Sequence, residues 1–194
     1  MKVTMIPAGT TLDPEAHIGH MAAICYDSDT ERSACIRRAI KCKDSGHLAT
    51  MRFAFATFNV SEISRICSHQ IVRMAHAGIL QRSQRYVKES KVEYIDPPAL
   101  ADCPEWYRHE WHRVQAAAES LYLHAIDQKL LKKEDARYIL PQGCSTELNL
   151  CLNLQGWRDF LKNRNDKAAQ WEVRDVAAEI KRQLAEISPG IFGD

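Results

Sequence analysis

Hydrophobic positions recur along this chain with two different periods. In "STELNLCLNL", residues 145–154, they alternate. Leu148, Leu150, Leu152 and Leu154 fall on one side, and Glu147, Asn149, Cys151 and Asn153 on the other. A period of two marks a strand with one buried face. "MRFAFATFNV", residues 51–60, also alternates and carries Phe53, Phe55, Phe58 and Val60, so it predicts a second strand. "KVTMI" predicts a short third. Elsewhere the period is helical. "DPEAHIGHMAAICY" opens a helix with Asp13 as cap and Pro14 in its first turn. "TERSACIRRAIKCKDSG" predicts another, stopped at Ser45-Gly46. "SEISRICSHQIVRMAHAG" predicts a helix capped by Ser61. Ile63, Ile66, Cys67, Ile71 and Met74 form its apolar stripe, and Arg65, His69 and Arg73 share a polar face. A proline-marked loop, "YIDPPALAD", precedes a long helical stretch, "PEWYRHEWHRVQAAAESLYLHAIDQKLLKKEDA", read as one helix or two with a slight break. "GWRDFLKNRN" and "AAQWEVRDVAAEIKRQLAEI" predict the last two helices. No repeat, low-complexity tract or linker divides the chain. The expectation is a single α/β domain over residues 1–194, with two or three strands.

Composition narrows the function classes. The formal net charge is +1, so bulk attraction to nucleic acid is not expected and any phosphate must be held by local arginines. No apolar run is long enough to span a bilayer, and "MKVTMIPAGTT" lacks the charged-then-apolar layout of a signal peptide. The seven cysteines are scattered and form no CxxC pair. They are expected to be reduced thiols of a cytoplasmic protein, mostly small core residues. GxGxxG, P-loop and GxSxG motifs are missing, so a dinucleotide would not use a Rossmann turn.

Candidate chemistry starts with "SHQIVRMAHAGILQRSQRYV", residues 68–87. Arg73, Arg82 and Arg85 surround Gln70, Ser83 and Gln84, yet Met74, Ala75, Ala77, Gly78, Ile79 and Leu80 between them carry no charge. Arg73, Arg85, Arg137 and Arg164 all sit near the ends of predicted elements. A guanidinium is a rigid, permanently charged fork that suits a phosphate, although arginines at surface ends are commonly only solvated. "RHEWHR" sets His109 and His112 three apart near Glu105 and Glu110. The spacing is not HExxH and supplies no third ligand, so no metal is expected. His47, between a helix stop and a strand, is either structural or a proton-handling group.

The chain resembles the flavin-dependent thymidylate synthases through most of its length. The likeness lies in "SGHLATMRFAFATF", "SRICSHQIVR", "QRSQRYV", "ARYILPQGCSTELNL", "FLKNRND", "AQWEVRDVAAEI" and "ISPGIF". It implies a mixed α/β domain with a central, mostly antiparallel sheet flanked by helices, assembled as a homotetramer with shared sites. It also implies a transferase that methylates a pyrimidine nucleoside monophosphate at C5, dUMP in the family, with dCMP and UMP as variants. Methylenetetrahydrofolate is the folate donor, FAD reduced by NADPH supplies the hydride, and no cysteine nucleophile is needed. No nucleic-acid polymer or membrane partner is implied.

The family's signature is Arg-His-Arg, seven residues, then Ser. Arg73 and Ser83 keep it, whereas Met74 and Ala75 replace its His and second Arg. Residue by residue, the resemblance implies a nucleotide set of Gln70, Arg73, Ser83, Gln84, Arg85, Arg137 and Arg164, with Arg164 at the pyrimidine ring. His47 matches a functional histidine. The flavin set is less complete. Arg73 and Asn153 match, Gln81 stands where Glu is common, and Asp159 where Asn is common. Ala49 replaces a Ser or Thr, and Ala168 a His of some members. The resemblance thus implies a kept nucleotide site beside an altered, weaker FAD site. His76 and Arg82 are its candidate substitutes, His76 needing a register change in the expected helix.

Overall fold

The computed structural model describes residues 1–89 and 91–193. Four strands, β1 (Lys2–Met5), β2 (Phe55–Ser64), β3 (Gly78–Gln81) and β4 (Ser145–Asn153), form one sheet in the order β1-β2-β4-β3. Every pairing is antiparallel. The two alternating segments make the central pair. Their inward residues Ala56, Phe58, Val60, Leu148, Leu150 and Leu152 are buried under α6 (Leu154–Arg164) and α7 (Trp171–Ile187). α7 presents Val173, Val176, Ala177, Ile180 and Leu184, a helical stripe, to this layer. Trp157 of α6 stands edge-on to Phe58 with ring centroids 5.0 Å apart, and its indole N–H donates to the Ala56 carbonyl at 2.9 Å. Side chains of this size contribute about 1.5–3 kcal/mol each on full burial. On the other face, Asn59 donates to Glu147 at 2.8 Å and to Asn149 at 2.9 Å.

Several expectations change here. Residues 48–53 form a 3-10 segment rather than the start of a strand, and Phe53 is exposed. β2 instead runs on to Ser64 through a bulge: Val60 faces Leu148, but Ile63 faces Thr146. The extra residue puts Glu62 in the left-handed region, φ 56°, and keeps Ile63 in the core despite the broken alternation. Ser64, not Ser61, therefore caps α3 (Arg65–Ile71), accepting from the Cys67 N–H at 3.0 Å. Its own N–H and O–H donate to the buried Glu172 carboxylate at 2.6 and 2.5 Å, which ties the end of β2 to the start of α7.

The helix expected to continue through Gly78 ends at Ile71. Residues 72–77 turn, with His76 left-handed at φ 63°, and lead into β3, an unexpected fourth strand. Pairing of Gly78–Gln81 with β4 overrides the helical preference of Met74, Ala75 and Ala77, which amounts to less than about 1 kcal/mol per residue.

The remaining helices are α1 (Pro14–Ala23), α2 (Arg32–Asp44), α4 (Glu105–Asp127), α5 (Lys133–Ala136) and α8 (Pro189–Phe192). Asp13 occupies the cap position of α1 but makes no capping bond; its carboxylate pairs with Arg32 at 2.7 Å instead. α1 and α2 touch so closely at Gly19 that a Cβ there would lie 1.8 Å from the Cys35 carbonyl oxygen. The expected long helix is two, α4 and α5, separated at left-handed Lys129. Val92, Tyr122, Ala136 and Cys144 form a small separate core there. All seven cysteines are free; Cys35, Cys67 and Cys144 are buried, while Cys25 is exposed. Among the described residues no helix is long and apolar enough to cross a membrane.

Candidate functional site

A cavity of about 670 Å³ opens where the α3–β3 turn, the end of β4 and α6 meet. The end of β4 supplies Asn153, whose side-chain oxygen caps α6 by accepting from Gly156 N–H at 2.8 Å. The Asn153 amide nitrogen is left available to a ligand. Asp159, one turn further on, accepts from Gln155 at 2.9 Å. Arg164 is the last residue of α6, and its guanidinium donates to the Gln70 carbonyl at 2.9 Å. From the turn come Arg73, Met74, Ala75 and His76. Met74 packs partly on the core, whereas Ala75 is exposed. Because this segment is a turn and not a helix, His76 reaches the cavity without any register change.

Arg52 was not foreseen. Read as a strand, "MRFAF" would turn it to solvent; the 3-10 segment puts it in the cavity wall. Neither Arg52 nor Arg73 has a side-chain hydrogen bond or ion pair among the described residues.

The other expected nucleotide residues lie elsewhere. Arg85 donates to the Glu134 carboxylate at 2.7 Å, and Arg137 donates to the Glu134 carbonyl at 3.1 Å. Ser83 accepts from the Arg85 N–H at 3.3 Å. Arg85 faces a different cavity, of about 700 Å³, with Lys129, Lys132 and Lys133. Gln84 is buried and donates to the Cys144 sulfur at 3.6 Å. Gln81 donates to Ser68 at 3.0 Å and Thr146 at 3.1 Å, away from both cavities. Arg82 pairs with Glu89 at 3.1 Å. His47 is exposed on a third surface, a cavity of about 540 Å³ shared with Arg37, Arg38 and Lys41. One chain therefore gathers Arg73, Asn153, Asp159 and Arg164, and leaves Ser83, Arg85, Arg137 and His47 outside that group.

His109 and His112 are directed to different carboxylates, His109 toward Glu110 at 3.6 Å and His112 to Asp96 at 2.8 Å. Asp96 also accepts from Trp111 at 2.9 Å and Gln115 at 3.0 Å. Partial burial opposes its ionisation, but the bonds from His112, Gln115 and Trp111 outweigh it and hold the carboxyl below its usual range. Burial pushes the Cys67 and Cys144 thiols up, away from the thiolate form a nucleophile needs.

Comparison with known proteins adds a family. The family model described as thymidylate synthase complementing protein matches residues 8–190. The flavin-dependent thymidylate synthase of Mycobacteroides abscessus is 32% identical over 163 residues, covering 77% of this chain and 65% of that protein. The Pyrococcus furiosus protein of the same description is 36% identical over 145 residues, covering 73% and 59%. That of Mycobacterium avium is 30% identical over 164 residues, covering 78% and 66%. The chain thus spans 59–66% of the length of these curated relatives.

Proposed function

The chain belongs to the family of thymidylate synthase complementing proteins, and on that premise we propose that it is a methyltransferase of the flavin-dependent thymidylate synthase type. As a single domain it transfers a one-carbon unit from methylenetetrahydrofolate to C5 of a pyrimidine nucleoside monophosphate, a step of nucleotide biosynthesis. dUMP is the first candidate, with dCMP and UMP as variants. The observation that carries this reading is convergence. Arg73, Asn153, Asp159 and Arg164, far apart in sequence, meet at one cavity, and these are positions that the family resemblance marks.

The donor set of this cavity fits an anionic cofactor. Arg73 would hold FAD through its unpaired guanidinium and Asn153 through its available amide nitrogen, with Asp159 alongside. Bound FAD, reduced by NADPH, supplies the hydride for the transfer. The rest falls to the chain's own side chains. Arg85, Arg137, Ser83, Gln84 and Gln70 bind the phosphate and sugar. Arg164, fixed by its bond to the Gln70 carbonyl, orients the pyrimidine ring, and His47 handles a proton. The raised thiols of Cys67 and Cys144 agree with a chemistry that uses no cysteine nucleophile. Because Arg85 and Arg137 lie outside the cavity, a complete site draws them from another copy, which supports a homotetramer with two-fold axes. Free thiols agree with a cytoplasmic location.

A second reading is a nucleotide-binding homologue without catalysis, a regulatory subunit. Met74 and Ala75 favour it, since neither can contact a diphosphate as His and Arg do. Calorimetric titration with dUMP, dCMP and UMP, with and without FAD, tests both. Binding together with folate-dependent NADPH oxidation is the expected result. Binding without turnover selects the second reading, and no binding of any pyrimidine monophosphate defeats both. Light scattering tests the assembly, and a monomer at micromolar concentration would contradict the shared site.

A further inference from the structure

The cavity's charge does not match the loss of Met74 and Ala75. It holds three guanidiniums, from Arg52, Arg73 and Arg164, against one carboxylate, Asp159. Arg164 is engaged by the Gln70 carbonyl and Asp159 by Gln155. Arg52 and Arg73 are engaged by nothing among the described residues. Two free like charges on one cavity repel each other, and an anion bound between them relieves that repulsion. The backbone at Arg52 is also held in place. Met51 before it and Ala54 after it are both fully buried, and the Ala54 carbonyl accepts from Leu154 N–H at 2.9 Å, locking the segment to the start of α6. A cation on such a fixed support is ready to bind and loses little freedom when it does.

We propose that Arg52 anchors the diphosphate of the flavin dinucleotide in this cavity, together with Arg73, and takes the place of the positive charge that the Met74-Ala75 pair lacks. The inference rests on the flavin reading above and deepens it. It assigns the ligand's doubly charged diphosphate, not its ring, to the Arg52 side of the cavity. The neighbouring His76 adds a ring N–H that can donate a hydrogen bond at the same wall.

Flavin fluorescence titration of the full chain tests it, with FAD and with riboflavin, which has no phosphate. Wild-type protein is expected to bind FAD, and R52A to bind it about 10- to 100-fold more weakly, the cost of one charged hydrogen-bonding partner. R52K, which keeps the charge but not the fork, should fall between them. Riboflavin affinity should be the same in all three. Arg52 is exposed and unpaired, so R52A should unfold at the wild-type temperature without ligand, and a rise in Tm with added FAD should shrink in the variant. FAD binding by R52A equal to wild type overturns the inference alone. Equal weakening for FAD and riboflavin also overturns it, because it removes the diphosphate from Arg52. A wild-type chain that binds pyrimidine monophosphates but no FAD overturns the flavin reading, and the inference with it.

Discussion

Arg85 and Arg137 are held by groups of their own chain, both from Glu134, whereas Arg52 and Arg73 face their cavity unpaired. The two groups would meet an incoming phosphate on different terms. At the first, the ligand must displace a carboxylate from Arg85, so part of the new interaction offsets the one lost. At the second nothing has to leave, and the arginines' mutual repulsion is relieved on binding. The same residue type thus makes a guarded site and an open one, and the difference lies in whether a group of the chain already accepts from the guanidinium: Glu134 does at the first, while Asp159 at the second is engaged by Gln155.

The largest expected effect comes from completing the open group. Met74→His with Ala75→Arg should strengthen FAD binding by about 1.5–3 kcal/mol for each charged hydrogen bond gained, read by fluorescence titration. The segment is a turn, so helix propensity does not bear on the change. A double variant that folds and binds FAD no better would mean that Arg52 and Arg73 already satisfy the diphosphate. Next is the guarded group. Arg137→Ala should weaken pyrimidine monophosphate binding by about 2–5 kcal/mol if it is a desolvated phosphate partner. Unchanged calorimetric affinity for dUMP, dCMP and UMP would remove Arg137 from the site. Glu134→Gln should act in the opposite sense and less strongly. It frees Arg85 from a partly exposed pair worth about 0–1 kcal/mol, so nucleotide affinity should rise by less than about tenfold. A fall would show that Glu134 positions Arg85 for the ligand.

The smallest effect is a control remote from both groups. The Asp96 carboxyl is held below its usual range by His112, Gln115 and Trp111, against the opposing effect of burial. A depressed carboxyl stabilises the fold above its unfolded pKa, about 4, and the contribution is lost as pH falls through the lower folded value. Asp96 is substantially exposed, so screening keeps it small. Asp96→Asn should flatten the decline of Tm below pH 4 slightly and leave both ligand affinities unchanged. A shift in either affinity would link α4 to the sites.

Local patterning made much of the fold legible. The leucine alternation of β4, the stripe of α7 and the boundaries of α1 and α2 follow from period, cap position and glycine stop, because each is decided within a few residues. What was not legible depends on distant partners. β3 is four residues long, and Gly78 and exposed Leu80 carry little strand signal; only its pairing with β4 defines it. The limits of β2 escape the pattern because alternation in "MRFAF" starts too early and the bulge interrupts it later. At the site, Arg73, Asn153, Asp159 and Arg164 were foreseen through family resemblance, and the cavity gathers them. Arg52 was not foreseen, because reading it as a strand residue gave it the wrong surroundings. The guarding role of Glu134 was missed for a different reason. A glutamate in "KKEDAR" reads as helix-surface charge until Arg85 arrives beside it.

The bulge at Glu62 also says where this chain can change length. Val60 faces Leu148 and Ile63 faces Thr146, so β2 spends three steps where β4 spends two. If Glu62 is deleted, Ile63 still faces Thr146 and still points inward, and Ser64 still faces Ser145. The ladder closes into a regular strand, with only the left-handed residue and the exposed N-terminal contact to Glu62 given up. Deleting one residue between Phe55 and Val60 is costlier, since either the side chains upstream of the cut change faces or the bulge absorbs the loss and those between the cut and Ile63 change faces instead, turning Val60 out of the core. In alignments of relatives, a one-residue gap at positions 61–62 is therefore the gap this strand accepts with its pairing intact, and the bulge is the spare step that makes it possible.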